Sequence, residues 1–404
     1  MAASRSIGRS FRSVWLSVMV SSAGDGMFLT AFPLLAAILT RDPVLIAGVT
    51  IASRLPWLVF SLFTGALADR MDRRRLMIGA DLIRFVIVGL LGAAILTDTV
   101  NIWMLYASAF LLGSCETLHV NAAQGLIPAI VKQEDLLEAN ARFASGQIVA
   151  AQFIGPPLGV VMFNASMSLP FLADAATFAG SAALVATVPN EHAVDKPTTK
   201  IFADIKEGIR YTIETTSLRR LTEILAVVNF FYFAANSLLV LYNEYLLGGG
   251  KATFTALSVG AASGTVASRF FLEKITQRLG TTRTLEVSLW AWAAATVGLA
   301  LATNPLTAIF SHVILGIGSG WWIALNTTLR QQITPTRMLG RMNAVSRTVT
   351  WGIVPFGALF GGVSARIFGL RGPFIISAVV MVSYAIFSRQ LLKPVREAVN
   401  NLQQ

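Results

Sequence analysis

Apolar residues in this chain run in blocks of about 20, the length a helix needs to cross a hydrocarbon core. Such blocks lie near 13–38, 44–67, 76–96, 101–123, 142–163, 169–188, 221–247, 254–272, 284–302, 306–329, 342–365 and 372–392. The pattern predicts an all-α membrane protein with twelve transmembrane helices. The longest polar interval, Pro189 to Arg220, falls at the middle and leaves six spans on either side. Within it, Ile201–Glu214 (IFADIKEGIRYTIE) places Ile201, Ile205, Ile209 and Ile213 four apart, as in an amphipathic helix lying on the membrane surface. The expected organisation is an N-terminal six-helix bundle over 1–188, a cytoplasmic linker with an amphipathic helix over 189–220, and a C-terminal six-helix bundle with a cytoplasmic tail over 221–404. The halves also resemble each other: Asn121, Pro128 and Asn140-Ala find counterparts in Asn326, Pro335 and Asn343-Ala, at offsets of 205, 207 and 203 residues. A doubled six-helix unit is a common transporter plan, with the substrate site at the midplane between the halves.

Composition agrees with a bilayer as solvent. Hydrophobic residues make up 54% of the 404 and the mean hydropathy is +0.65, more apolar than the surface of a soluble domain tolerates. The net charge of +11 would suit a nucleic-acid binder if it were clustered on a polar face, but the basic residues are spaced between apolar blocks. With both termini on one side of the membrane, 24 of the 32 Lys and Arg fall on that side. Four fall on the other (Arg41, Lys251, Arg366, Arg371) and four within spans (Arg54, Arg84, Arg269, Arg347). That bias places both termini in the cytoplasm and removes nucleic acid as a partner. MAASRSIGRSFRS leads into an apolar block with no small-residue cleavage site after it, so the first span is expected to be retained.

Several chemistries find no support. The single cysteine, Cys115, lies inside an apolar block, which leaves no disulfide framework or thiolate metal site. His119, His192 and His312 are dispersed and supply no metal triad, and no G-x-x-x-x-G-K-[ST] loop is present for ATP. No cofactor, no metal and no enzyme activity are expected.

The stretch G65-A-L-A-D-R-M-D-R-R-R75 concentrates two aspartates and four arginines in a chain where 13% of residues are charged. A positive-inside loop explains the arginines but not Gly65 or Asp69 at a membrane boundary. The stretch resembles the signature loop of the major facilitator superfamily: glycine, three residues, aspartate, arginine, then a basic cluster. The resemblance implies that Asp69 meets the start of the eleventh span and a nearby arginine, latching the halves on the cytoplasmic side. Gly65, Asp69, Arg70 and Arg74 would form this latch, supported by Asp81 and Arg84 just inside the third span. Asp72 stands where the family usually has glycine, and the second copy near Ser268–Arg283 keeps basic residues without the glycine–aspartate core.

In the fifth span, A151-Q-F-I-G-P-P-L-G159 resembles the glycine–proline motif of proton-coupled antiporters in this superfamily, through Gly155, Pro156 and Gly159. Ala151 and Val160 replace glycines, and a proline kink packed through small residues reads the same stretch equally simply. Gln124–Pro128, Glu138–Arg142 and Leu169–Asp174 resemble the enterobactin-exporter and macrolide-efflux branch.

Ionisable groups at membrane depth are costly, by about 2.5–3.5 kcal/mol on insertion scales, and so mark functional candidates. Asp25 lies near the midplane of the first span and Arg54 reaches similar depth in the second. They form either a structural ion pair or a site where Asp25 takes and releases a proton. Glu116 and His119, three apart in the fourth span, share a face that is either a second titratable station or a satisfied packing surface. In the second half, Asn229, Tyr232 and Asn236 of the seventh span and Trp322 and Asn326 of the tenth fall on spans that line the cavity in the family. Aromatic planes with a few amides suit a bulky, partly apolar ligand. The expected protein is a monomeric, proton-coupled exporter of drug-like or amphipathic organic molecules, siderophores among them, in the inner membrane of a bacterium. Lysophospholipid flipping or solute import on the same scaffold are the alternatives.

Overall fold

In hydrocarbon no water meets the peptide groups, so apolar blocks of this length close their hydrogen bonds as helices. The computed structural model describes residues 8–60, 63–64, 67, 71–131, 135–189 and 201–403, and every regular element among them is helical. Seven helices are long and apolar enough to cross a membrane, and an eighth span is a pair bent by 43°. Among the described residues the two shorter apolar helices Pro43–Val59 and Gly372–Ile386, with the long helices Ile102–Ile130 and Lys251–Leu279, bring the number to twelve.

The described residues group into two compact units, Met1–Leu39 with Leu55–Thr198 and Thr40–Arg54 with Thr199–Gln404. The first unit is built from α1 (Arg9–Leu39), the later part of α2 (Pro43–Val59), α3 (Arg73–Leu96), α4 (Ile102–Ile130), a fifth span and α7 (Leu169–Ala186). That fifth span is composite: α5 (Leu136–Ile148), a π-helical turn over Val149–Ile154, then α6 (Gly155–Ala165).

In the second unit α8 (Ile201–Glu214) runs over the helix that carries Arg341. Gly208 lies against the Arg341 backbone and Glu207 pairs with its guanidinium, while Ile209 and Ile213 stay exposed on the outer side. The spans that follow are α9 (Thr216–Asn236) with α10 (Leu239–Tyr245), α11 (Lys251–Leu279), α12 (Thr281–Leu301), α13 (Pro305–Ile333), α14 (Thr336–Gly352) with α15 (Val354–Phe368), and α16 (Gly372–Ile386). Two short helices, α17 (Ser388–Leu391) and α18 (Lys393–Gln403), end the chain, α18 tied to α12 by Arg396–Glu286.

Without a hydrophobic force between spans, helices in a bilayer associate where small residues let backbones approach. Gly264 and Gly316 bring α11 and α13 into backbone contact, and Gly357 and Gly361 do the same for α15 against Phe230 and Ala234 of α9. Gly362 receives the start of α2, its would-be Cβ 3.0 Å from the Val44 Cα. On the same side Arg41 pairs with Glu244 at 2.7 Å and lies 5.4 Å from the Tyr245 ring centre.

Candidate functional site

The densest chemistry lies inside the first unit, where α1, α3, α4 and α7 converge. Gly24 in S21-S-A-G-D-G-M27 lacks a side chain, and one placed there would collide with the Asp174 carboxylate and the Thr177 hydroxyl of α7. Asp174 therefore packs directly on α1, 1% exposed, with Thr177 Oγ1 donating to it at 3.3 Å. Asp25, one residue beyond Gly24, is half-buried. The charged groups that act on Asp25 within this unit are Arg84, Glu116 and Asp81, and those that act on Asp174 are Asp25 and Arg84.

Asp81 is the fully enclosed member. Ser181 Oγ donates to its Oδ2 at 2.7 Å, while Oδ1 lies 3.7 Å from Arg84 Nη1 and 3.5 Å from His119 Nε2. Among the described residues neither Asp81 Oδ1 nor His119 Nε2 has a hydrogen-bond partner at normal geometry, and the two face each other. The Arg84 guanidinium rests 5.1 Å from the Phe178 ring centre, so its planar face is covered by an aromatic and its edge is left for carboxylates. Glu116 is half-buried and accepts from Trp57 Nε1 at 3.4 Å. Asp81 thus lies beside Arg84 in the interior of a helical bundle, and the field of the same guanidinium acts on Asp25 and Asp174.

The wall beside Asp25 comes from the fifth span. Pro156 and Pro157 carry no N–H, so the carbonyls four residues earlier lose their α-helical donors. The chain answers with a π-helical turn over Val149–Ile154, in which the Gly155 N–H reaches back five residues to the Ala150 carbonyl. A Cβ on Gly155 would stand 2.6 Å from the Gly26 Cα, and one on Gly159 2.9 Å from the Met27 Cα. The glycine–proline stretch is therefore the seam that holds the fifth span against the Asp25 segment of α1.

The second unit contains a small cavity of about 20 Å³, room for about one water, lined by Tyr232 and Asn236 of α9, with Phe231, His312, Phe374 and Ser377. His312 is held through Nδ1 to the Ala308 carbonyl at 3.0 Å.

A family model described as transmembrane secretion effector matches residues 6–403. The chain belongs to the major facilitator superfamily. The macrolide efflux protein A of Streptococcus pyogenes is 20% identical over 93% of this chain and 94% of its own length. The multidrug efflux pump Tap of Mycolicibacterium fortuitum is 25% identical over 91% and 92%. The crystal structure of a bacterial homolog to the human lysosomal transporter Spinster, in an inward-facing and occupied conformation, superposes with a TM-score of 0.73. It shares 14% identity and covers 96% of this chain and 97% of that one. The chain is a transporter of this superfamily, and efflux proteins are among its sequence relatives.

Within this facilitator the expected site residues distribute unevenly. Gly65, Asp69 and Arg70 lie outside the described residues. Arg74, expected in the latch, instead caps the sixth span: its Nε and Nη2 donate to the Val185 and Ala186 carbonyls at 3.3 and 2.5 Å. A cation at a helix C-terminus meets the orphan carbonyls and the negative end of the dipole. Asp72, the departure from the family pattern, is the N-cap of α3 and accepts from the Arg75 N–H at 3.2 Å.

Asp81 and Arg84, expected to brace the latch, belong to the buried cluster, because two to three turns into α3 they meet His119 of α4 and Ser181 and Phe178 of α7. Arg54, offered as a partner for Asp25, groups with the second unit, its guanidinium 5.3 Å from the Trp351 ring centre. Within its own unit Arg84 is a cation whose field reaches Asp25.

Of the expected cavity residues, Asn229 is tied to the Thr350 carbonyl by its Nδ2 at 2.7 Å. Trp322 is fully buried against Trp292, ring centres 5.3 Å apart, and Asn326 is buried too. Tyr232 and Asn236 line the internal cavity. The sequence reading missed Asp174, although a lone acid within SLPFLADAATFAGSA carries the signal that had drawn attention to Asp25.

Proposed function

We propose that this facilitator is a proton-coupled exporter of bulky, amphipathic organic molecules in the cytoplasmic membrane of a bacterium. It works as a monomer by alternating access, with both termini in the cytoplasm. One observation carries the reading: Asp25, Asp81 and Asp174 lie in one unit with Arg84, which is within ion-pair distance of Asp81 and acts on Asp25 and Asp174 through its field. Charges in an apolar interior are paired or neutralised. One arginine cannot balance three carboxylates, so the cluster calls for protons that arrive and leave.

The division of labour follows from exposure. Asp25 is half-buried and Asp81 and Asp174 are enclosed, so Asp25 is the group that exchanges a proton with water. His119 beside Asp81 offers a second place to hold one, since an imidazole changes charge in the physiological range. Efflux as the direction is supported by the macrolide and multidrug efflux relatives. An amphipathic substrate is supported by the aromatic and amide groups of α9, Tyr232 and Asn236 among them. The loop with Gly65, Asp69 and Arg70 acts as the cytoplasmic latch, as its resemblance to the family signature implies.

The test is uptake of a labelled macrolide into proteoliposomes under an imposed pH gradient, in sodium-free buffer, for the wild type and Asp25→Asn. The gradient should drive accumulation in the wild type, and the variant should still bind substrate but lose gradient-driven accumulation. Accumulation indifferent both to the gradient and to the substitution would sink proton coupling through Asp25.

A further inference from the structure

Trp322, Asn326 and Arg330 stand four apart on α13, hence on one face, and at 1.5 Å per residue they cover about 12 Å of its length. All three are more than nine-tenths buried, with exposures of 0, 6 and 8%. Each also carries a polar atom with no hydrogen-bond partner: Trp322 Nε1, Asn326 Oδ1 and Arg330 Nε. Protein interiors leave few such atoms, and a run of them along one helix face marks a surface prepared for a polar guest.

Arg330 is the sharpest case. Its hydrogen bond among the described residues runs from Nη2 to Thr222 Oγ1 of α9 at 3.2 Å. Thr222 is itself 3.1 Å from Ser346 Oγ of α14. The acid next to Thr222 in sequence, Glu223, is turned to Arg219 and Arg220, and among the described residues no carboxylate pairs with Arg330. Counted along the sequence, Arg330 is one of the basic residues at the cytoplasmic ends of the spans. Such residues ordinarily extend their head groups into the membrane surface. This one is buried instead, bonded to the Thr222 hydroxyl of α9, with no carboxylate paired to it among the described residues.

We propose that Arg330, with the hydroxyls of Thr222 and Ser346, is a binding site for an anionic oxygen group, a carboxylate or a phosphate. A guanidinium presents its donors as a fork that matches such oxygens, and the free Nε–H is part of that fork. The Thr222 hydroxyl, itself bonded to Ser346, holds Nη2 of the guanidinium, and Asn326 continues the polar face one turn further along α13. The site lies in the second unit, apart from the carboxylate cluster, and stands whether or not transport is coupled to protons. The anion is either a soluble group or the head group of an anionic lipid.

Purified full-length protein in a neutral detergent separates these sources. Its unfolding temperature is followed against sodium phosphate at ionic strength matched with sodium chloride, and separately against phosphatidylglycerol with phosphatidylcholine as control. At least one series should raise the unfolding temperature saturably in the wild type. Arg330→Gln should weaken the apparent affinity by about ten-fold or more, as expected for loss of a charge-assisted pair. Ser346→Ala, which keeps the arginine and the fold, should weaken it less, and it carries the test if Arg330→Gln does not fold. A shift with phosphate assigns a soluble anion, a shift with phosphatidylglycerol alone assigns a lipid head group, and either supports the site. No saturable shift in either series, or the same shift in the wild type and both variants, overturns it.

Discussion

Gly26 of the first span and Gly155 of the fifth meet backbone to backbone: a methyl added to Gly155 would lie 2.6 Å from the Gly26 Cα. Backbone cannot swing aside as the end of a long side chain does. Gly155→Ala is therefore expected to destabilise the protein by about 1–3 kcal/mol, the usual cost of overpacking. Gly89 of α3 has open space at the same point, so Gly89→Ala should be neutral or stabilise by up to about 1 kcal/mol. Thermal unfolding in detergent compares them, and equal melting temperatures would remove the seam from the account of the fifth span.

Two arginines in ion pairs should behave in opposite ways. Arg84 is 4% exposed and serves buried aspartates, so Arg84→Gln leaves uncompensated charge and should cost about 3–5 kcal/mol. Arg41 pairs with Glu244 at a well exposed position, and Arg41→Gln should cost less than about 1 kcal/mol. Combining Asp81→Asn with Arg84→Gln should destabilise less than the two singles together, by about 0.5–3 kcal/mol of coupling. Additive losses in that cycle would mean that the pair is not coupled.

Asp174 and Asp25 act on each other and on the same guanidinium. If the carboxylates function as a set, Asp174→Asn should depress gradient-driven accumulation at least about ten-fold, equivalent to 1.4 kcal/mol in the barrier. Substrate affinity should change little, because neither carboxylate is assigned to the ligand. A variant that transports normally but unfolds earlier would reduce Asp174 to a packing residue.

Asn229 tests the boundary between lining and structure. Its side chain ties α9 to the Thr350 carbonyl of α14, so Asn229→Ala should lower stability by about 1 kcal/mol, the net worth of one hydrogen bond. Substrate affinity measured in parallel should stay near the wild-type value. Lower affinity with unchanged stability would return Asn229 to the substrate cavity.

The loop at 65–75 and the fifth-span glycines show how differently two sequence motifs translate. The glycine–proline stretch was legible as a close-packed kink, because a missing N–H and a missing Cβ have the same local consequence in any fold. What it packs against was not legible, since nothing in A151–G159 names Gly26. Asp72 looked like a departure from a family pattern and turned out to have a local reason, capping α3. Arg74 had the right charge for a latch, yet the nearest orphan carbonyls belong to the sixth span.

By itself the sequence determined the helices, their number and the family, because a 20-residue apolar block in lipid has one way to satisfy its backbone. It also determined which polar residues are expensive enough to matter, since burial cost depends on residue type and depth. The tertiary structure alone decided which of them meet. Depth along the chain fixes a residue's height in the membrane but not its direction around the helix axis. Asp25 and Arg54 could therefore be matched in height from the sequence, while the field of Arg84 on Asp25, the place of Asp174 in the same cluster and the inward turn of Arg330 toward Thr222 came from the structure.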